Sequence, residues 1–153
     1  MPMTVEQLIR KYLAAGHMMQ LATVADAQPW VCTVYYVADD DLNLYWISVP
    51  GRRHSQEIAA HAPAAAAIPI AFTPGEKVVG MQVEGDAAAV TEAAELQRAA
   101  ELYHARFNHD DSFVDDYVAG RRDHKFYRLQ PRLIVLFDEQ TFATNARKEW
   151  RPS

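Results

Sequence analysis

The sequence predicts a mainly β protein: a small barrel of six or seven mostly antiparallel strands with peripheral helices. Three observations lead there. Short apolar segments bounded by turn residues recur along most of the chain. Helical spacing recurs only at the start, in the middle and late, so strands and long helices do not alternate as a doubly wound parallel sheet requires. The stretch from Trp30 to Ala38 is apolar on both faces: Trp30, Cys32, Val34, Tyr36 and Ala38 on one, Val31, Thr33, Tyr35 and Val37 on the other. A sheet with one wet face alternates cleanly. This one asks for a barrel interior on one side and a helix, a second subunit or a flat ligand on the other.

Each element has a local reason. Thr4-Val-Glu-Gln7 reads as a capping box, with Leu8, Ile9, Tyr12 and Leu13 as the apolar stripe of a helix ending near Gly16. Met19 to Ala25 and Trp30 to Ala38 are strands joined by the turn Asp26–Pro29, and Asp39–Asp41 leads into a third, Leu42 to Val49. Ser55 to His61 is a short helix stopped by Ala62-Pro63. Ala65 to Phe72 is a strand whose Pro69 belongs at an edge, a bulge or the strand's start. Val78 to Ala89 is a long strand relieved at Gly80 and Gly85. Thr91 to His104 and Ser112 to Val118 are helices. Lys125 to Leu129 and Leu133 to Asp138 are the last strands, before a tail containing Trp150.

Composition bounds the function. With 153 residues, half of them hydrophobic, the chain is expected to form one domain over 1–153 with a core that needs no metal or disulfide staple. A single cysteine, Cys32, rules out an internal disulfide framework and fits a reducing, cytoplasmic setting. The first residues lack a basic segment leading into an apolar run, and no apolar run has the length of a membrane helix, so neither export nor membrane partnership is expected. A net charge of −5 argues against nucleic acid, which calls for a broad basic field.

One compact basic corner remains, Arg52-Arg53-His54-Ser55, placed where a strand gives way to a helix. Exposed N–H groups at a helix start carry partial positive charge. Arginine forks suit phosphate oxygens, and a histidine and a hydroxyl add shorter-range donors. Two readings stand side by side. The corner binds a small anion, or Ser55 is an ordinary helix cap with Glu57 favourably placed in the first turn. No glycine-rich fingerprint of a P-loop or dinucleotide site accompanies it. Elsewhere the six histidines form no metal-ligand pattern, and Cys32 has no basic partner in sequence. Arg121, Arg122, His124 and Lys125 make a second, smaller basic patch.

Leu21-Ala-Thr-Val24, Pro29-Trp30, the Leu42–Ser48 strand, Arg53-His-Ser-Gln-Glu-Ile58 followed by Ala62-Pro63, and Met81-Gln-Val-Glu-Gly85 together resemble the pyridoxamine 5'-phosphate oxidase-like family, from about Met19 to Phe142. The resemblance implies an FMN-binding split barrel of Greek-key type and a homodimer with two FMN sites at its interface. It places the FMN phosphate against Arg53, His54 and Ser55, with His54 where many relatives have lysine. Ser48 matches a small hydroxyl near the phosphate or ribityl chain. Val31, Cys32 and Thr33 match the strand beside the isoalloxazine ring, Gln82 a polar position facing it, and Trp150 a C-terminal aromatic near the flavin. The activity implied is an FMN-dependent oxidoreductase acting on a small organic substrate, with NADH or NADPH as a candidate electron donor. The alternative is a non-enzymatic module that binds flavin or haem. The Arg- and His-bearing C-terminal segment of authentic pyridoxamine phosphate oxidases has no counterpart, since no histidine follows His124. Pyridoxamine phosphate is therefore not the expected substrate.

Overall fold

The computed structural model describes residues 1–153. In chain order the elements are α1 (Val5–Ala15), β1 (Met18–Ala25), β2 (Gln28–Tyr35), β3 (Val37–Ala38), β4 (Leu44–Ser48), α2 (Arg53–Ala60), β5 (Pro63–Ala71), β6 (Val79–Ala89), α3 (Ala93–Phe107), α4 (Phe113–Val118), β7 (Lys125–Asp138) and β8 (Arg147–Trp150). The eight strands form one sheet, ordered β2-β1-β5-β6-β7-β4-β3, with β8 paired to β7, and every pairing is antiparallel. The two ends of that order, β2 and β3, are successive pieces of chain separated only by Tyr36. The curled sheet thus closes on itself as a split barrel. It is mainly β with peripheral helices, as the sequence predicts.

The barrel interior is filled by alternate residues of its strands, among them Met19, Leu21, Leu44, Trp46, Ile68, Met81, Leu129, Ile134 and Leu136. Helix α1 plugs one end. Its Leu8, Ile9, Tyr12 and Leu13 join this core, and the predicted capping box is present, Thr4 Oγ1 accepting from the Gln7 amide at 3.1 Å and Gln7 Oε1 from the Thr4 amide at 2.9 Å. On the outer surface, α3 and α4 cover β3, β4 and the first part of β7, burying Tyr45, Tyr103, Phe113, Tyr117 and Phe126 in a second, aromatic cluster.

The bends fall where proline and glycine allow them. The β5–β6 register shifts between Pro69 and Ala71, one of the positions expected for Pro69, and the β6–β7 register shifts between Glu84 and Gly85. A Cβ on Gly85 would stand 2.0 Å from the Gln130 carbonyl oxygen, so only glycine lets the two strands approach here.

Three expectations are corrected. The two predicted final strands are one 14-residue strand, β7. Pro131 does not end it, because it falls between the segment paired with β4 (Lys125–Leu129) and the segment paired with β8 (Ile134–Phe137), opposite the β6 bulge. Strand β8 itself carries too little apolar alternation to be read from sequence. The predicted Trp30–Ala38 strand is broken at Tyr36 into β2 and β3, whose different partners close the barrel. Helix α2 begins at Arg53 rather than Ser55, with Arg52 as its N-cap residue.

Candidate functional site

Strand β4 ends at Ser48, the chain turns through Val49-Pro-Gly51, and α2 starts against β1, β2 and β6. The first helical hydrogen bond of α2 runs from the Gln56 amide to the Arg52 carbonyl at 3.0 Å, and no side chain caps this end. The amides of Arg53, His54 and Ser55 therefore have no partner within the helix. Ser55 is buried, and its hydroxyl has no hydrogen-bond partner in the chain. The helix-cap reading of Ser55 is overturned: Arg52 is the N-cap residue, and Ser55 is the third residue of the helix, its buried hydroxyl unpaired within the chain.

The side chains around this turn divide by direction. His54 folds inward, its Nε2 2.7 Å from Ser48 Oγ, and both residues are buried. Burial and the neighbouring Arg52 guanidinium hold the imidazole pKa below its ordinary value, with Glu57 pulling the other way. Arg53 stays at the surface. Its guanidinium carbon lies 4.2 Å from the centroid of the Trp30 ring, and its Nε donates to Glu57 Oε2 at 3.3 Å. Glu57 is buried and also accepts from Thr23 Oγ1 at 3.0 Å. The two terminal nitrogens of Arg53 have no partner in the chain, so they remain available to an anion.

Trp30 and the next residue, Val31, point to opposite faces of β2. Val31 belongs to the outer face of β2, β1, β5, β6 and the second part of β7, the half that no helix covers. Two adjoining grooves of about 510 and 440 Å³ cross it, both bordered by Gln20, Ala67, Gln82 and Val135. The register explains their meeting, since Thr33, Gln20, Ala67, Gln82 and Val135 form one cross-strand row. Around it Val31, Tyr35 and Phe72 are each more than half exposed, an unusual amount of apolar surface to leave in water.

The predicted site residues fall into two groups, with Cys32 and Trp150 apart from both. Ser48, Arg53, His54 and Ser55 come together at the start of α2. Val31, Thr33 and Gln82 share the uncovered face. Cys32 points to the barrel interior, where burial pushes its thiol pKa up, so only its backbone shares the edge of β2. Trp150 sits on β8 beside α1, its indole donating to Glu6 Oε2 at 3.4 Å, away from the α2 corner of the same chain. In the second basic patch, Arg121 and Arg122 are paired with Asp116. Sequence reasoning passed over Thr23, Glu57 and Gln20 as site residues. The i,i+4 spacing of Arg53 and Glu57 was the available signal for one of them.

The family model described as pyridoxamine 5'-phosphate oxidase matches residues 5–139, nearly the whole barrel. The chain belongs to this family. No curated protein matches it by sequence. Among solved structures of the same fold, a conserved hypothetical protein from Mycobacterium tuberculosis superposes with a TM-score of 0.75 at 17% identity, over 92% of this chain and 88% of its own. A heme binding protein from Mycobacterium smegmatis gives 0.78 at 14% identity, and the match spans 99% of this chain but 60% of that one. A FAD-binding protein from Mesorhizobium loti gives 0.66 at 22% identity, over 86% and 92%. At these identities the likeness is one of fold. No helix of this pyridoxamine 5'-phosphate oxidase family member is long and apolar enough to cross a membrane.

Proposed function

We propose that this chain is an FMN-dependent oxidoreductase acting on a small organic substrate, assembled as a homodimer in which a second copy covers the open face of the barrel. The observation that carries the reading is the start of α2. Three amides without a partner in the helix, two free guanidinium nitrogens and an orphaned buried hydroxyl belong to one turn. That donor set fits a phosphate monoester, whose roughly −1.5 to −2 charge needs several donors to offset its desolvation.

The remaining residues fit the rest of such a cofactor. Arg53 and the Ser55 hydroxyl would hold the phosphate, and Ser48, oriented by His54, would stand beside it. Strand β2 pairs only with β1, so it keeps outward backbone groups for a polar ring edge, while Val31, Thr33, Gln20 and Gln82 offer a largely apolar bed with a few polar contacts. Bound FMN would supply the hydride and electron transfer that protein side chains cannot. The chain's own part is to bind and orient the cofactor and, with the partner copy over the grooves, to exclude water from the ring.

The purified protein is expected to carry the two-band absorption of a flavin, or to acquire it on titration with FMN, and to oxidise NADH or NADPH when given an acceptor. A colourless protein that binds no FMN sinks the proposal. The haem-binding function named for the Mycobacterium smegmatis protein motivates the second reading, a binding module without turnover. A Soret band, or bound flavin that no reduced donor can bleach, selects it. Sedimentation is expected to give a dimer at micromolar concentration, and Val31→Glu, a charge placed on the exposed face, to give a folded monomer with weakened FMN binding.

A further inference from the structure

Glu57 is an odd partner for a surface arginine. Exposed i,i+4 ion pairs normally lie flat on a helix and contribute little. Here the arginine side chain is 45% exposed and the carboxylate 7%, so the acid has been drawn beneath the base. Burying a carboxylate is costly unless it is bonded, and Glu57 is bonded twice, to Thr23 on β1 and to Arg53 Nε. Strand, helix and arginine are thereby linked. Trp30 supplies a second constraint, its ring lying under the guanidinium plane.

From this arrangement we propose that Glu57 is the positioning residue for the anion-binding arginine, fixing the guanidinium by its Nε edge above Trp30 so that both terminal nitrogens stay free for a phosphate. The proposal rests on the reading of this corner as a phosphate site. A carboxylate acting as a competing anion would occupy the arginine fork with two oxygens. Glu57 uses one oxygen, at 3.3 Å, on the nitrogen nearest the backbone, and gives its other oxygen to Thr23. An arginine held in this way loses less side-chain freedom when a ligand arrives, which is how preorganisation raises affinity.

The test is a double-mutant cycle on the full chain, with inorganic phosphate and FMN as separate probes and thermal melting recorded alongside. Glu57→Ala is expected to weaken both probes about tenfold, and Glu57→Gln, which keeps the shape and an acceptor, only about threefold or less. In the Arg53→Ala background Glu57→Ala is expected to change neither probe, because the residue acts through Arg53. Equal losses in both backgrounds would mean a structural role, and unchanged or tighter binding in Glu57→Ala would mean a bystander or competitor; each overturns the proposal. Should Glu57→Ala fail to fold, Trp30→Leu tests the same linkage from the exposed side, with an expected loss that vanishes in Arg53→Ala. FMN binding that depends on Arg53 but not on Glu57 or Trp30 rejects this inference and leaves the cofactor reading standing. Wild-type protein that binds neither probe removes both.

Discussion

Ser48 and His54 close a buried hydrogen bond of 2.7 Å that ties the end of β4 to the first turn of α2. The bond commits His54 Nε2 to Ser48 and turns the ring inward, away from the exposed side of the helix start. The neutral ring is favoured in the folded protein, chiefly by burial. The unfolded chain therefore takes up the proton first. Its contribution to stability is complete above the ordinary value of 6.5 and is lost as pH falls through the lower folded value. His54→Gln, which keeps a partner for Ser48, is expected to flatten the decline in melting temperature below neutral pH. An unchanged slope assigns that decline to other groups, His109 first, since burial also holds its pKa low.

Arg53→Ala is expected to weaken FMN binding by about 1.5–3 kcal/mol, the scale of one or two charge-assisted hydrogen bonds. Calorimetric titration measures it directly. Equal affinities for the two proteins would reduce Arg53 to a surface residue stacked on Trp30.

Gly85→Ala is expected to destabilise the fold by about 3 kcal/mol or more, because the added methyl meets backbone on β7 rather than a side chain able to swing away. Gly51→Ala is the matched control: nothing lies within 4 Å of its Cβ position, and its effect should stay within about 0.5 kcal/mol. Urea unfolding of the pair decides whether the β6 bulge depends on glycine.

Asp138 closes the end of β7, accepting from Tyr12 Oη at 2.8 Å and from the amides of Gln140 and Thr141 at 3.0 and 2.9 Å. Burial pushes its carboxyl up, but the Thr141 side chain, together with these hydrogen bonds, outweighs it and holds the pKa below the ordinary 3.8. Its stabilising effect is present above that value and lost as pH falls through the lower folded one. Asp138→Ala strands three donors and is expected to cost about 3 kcal/mol at neutral pH, with a smaller difference from wild type in strong acid. A constant difference across the acid range would contradict the assignment.

Much of this was legible in short stretches of sequence, where neighbours along the chain decide the outcome. The Thr4–Gln7 capping box, the apolar stripe of α1, the irregularity at Pro69 (as an edge, a bulge or a strand start) and the relief at Gly85 all follow from local geometry and the restricted backbones of proline and glycine. The cluster of donors at Arg53–Ser55 was visible for the same reason. The pairing of Glu57 with Thr23, 34 positions away, was not, nor was the inward turn of His54 onto Ser48.

The amino-acid order therefore determined most of the segments that extend or coil and where the basic, donor-rich corner lies. Tertiary structure decided how they are used. It carried β7 through Pro131, because β4 and β8 take the strand on either side of that residue. It turned Ser55 from a cap into a buried, unpaired hydroxyl, and it left one half of the barrel's outer face open while α3 and α4 covered the other. Periodicity reports that a residue is apolar or helical. Which surface receives it depends on contacts between segments far apart in the chain, and those exist only once the sheet has curled.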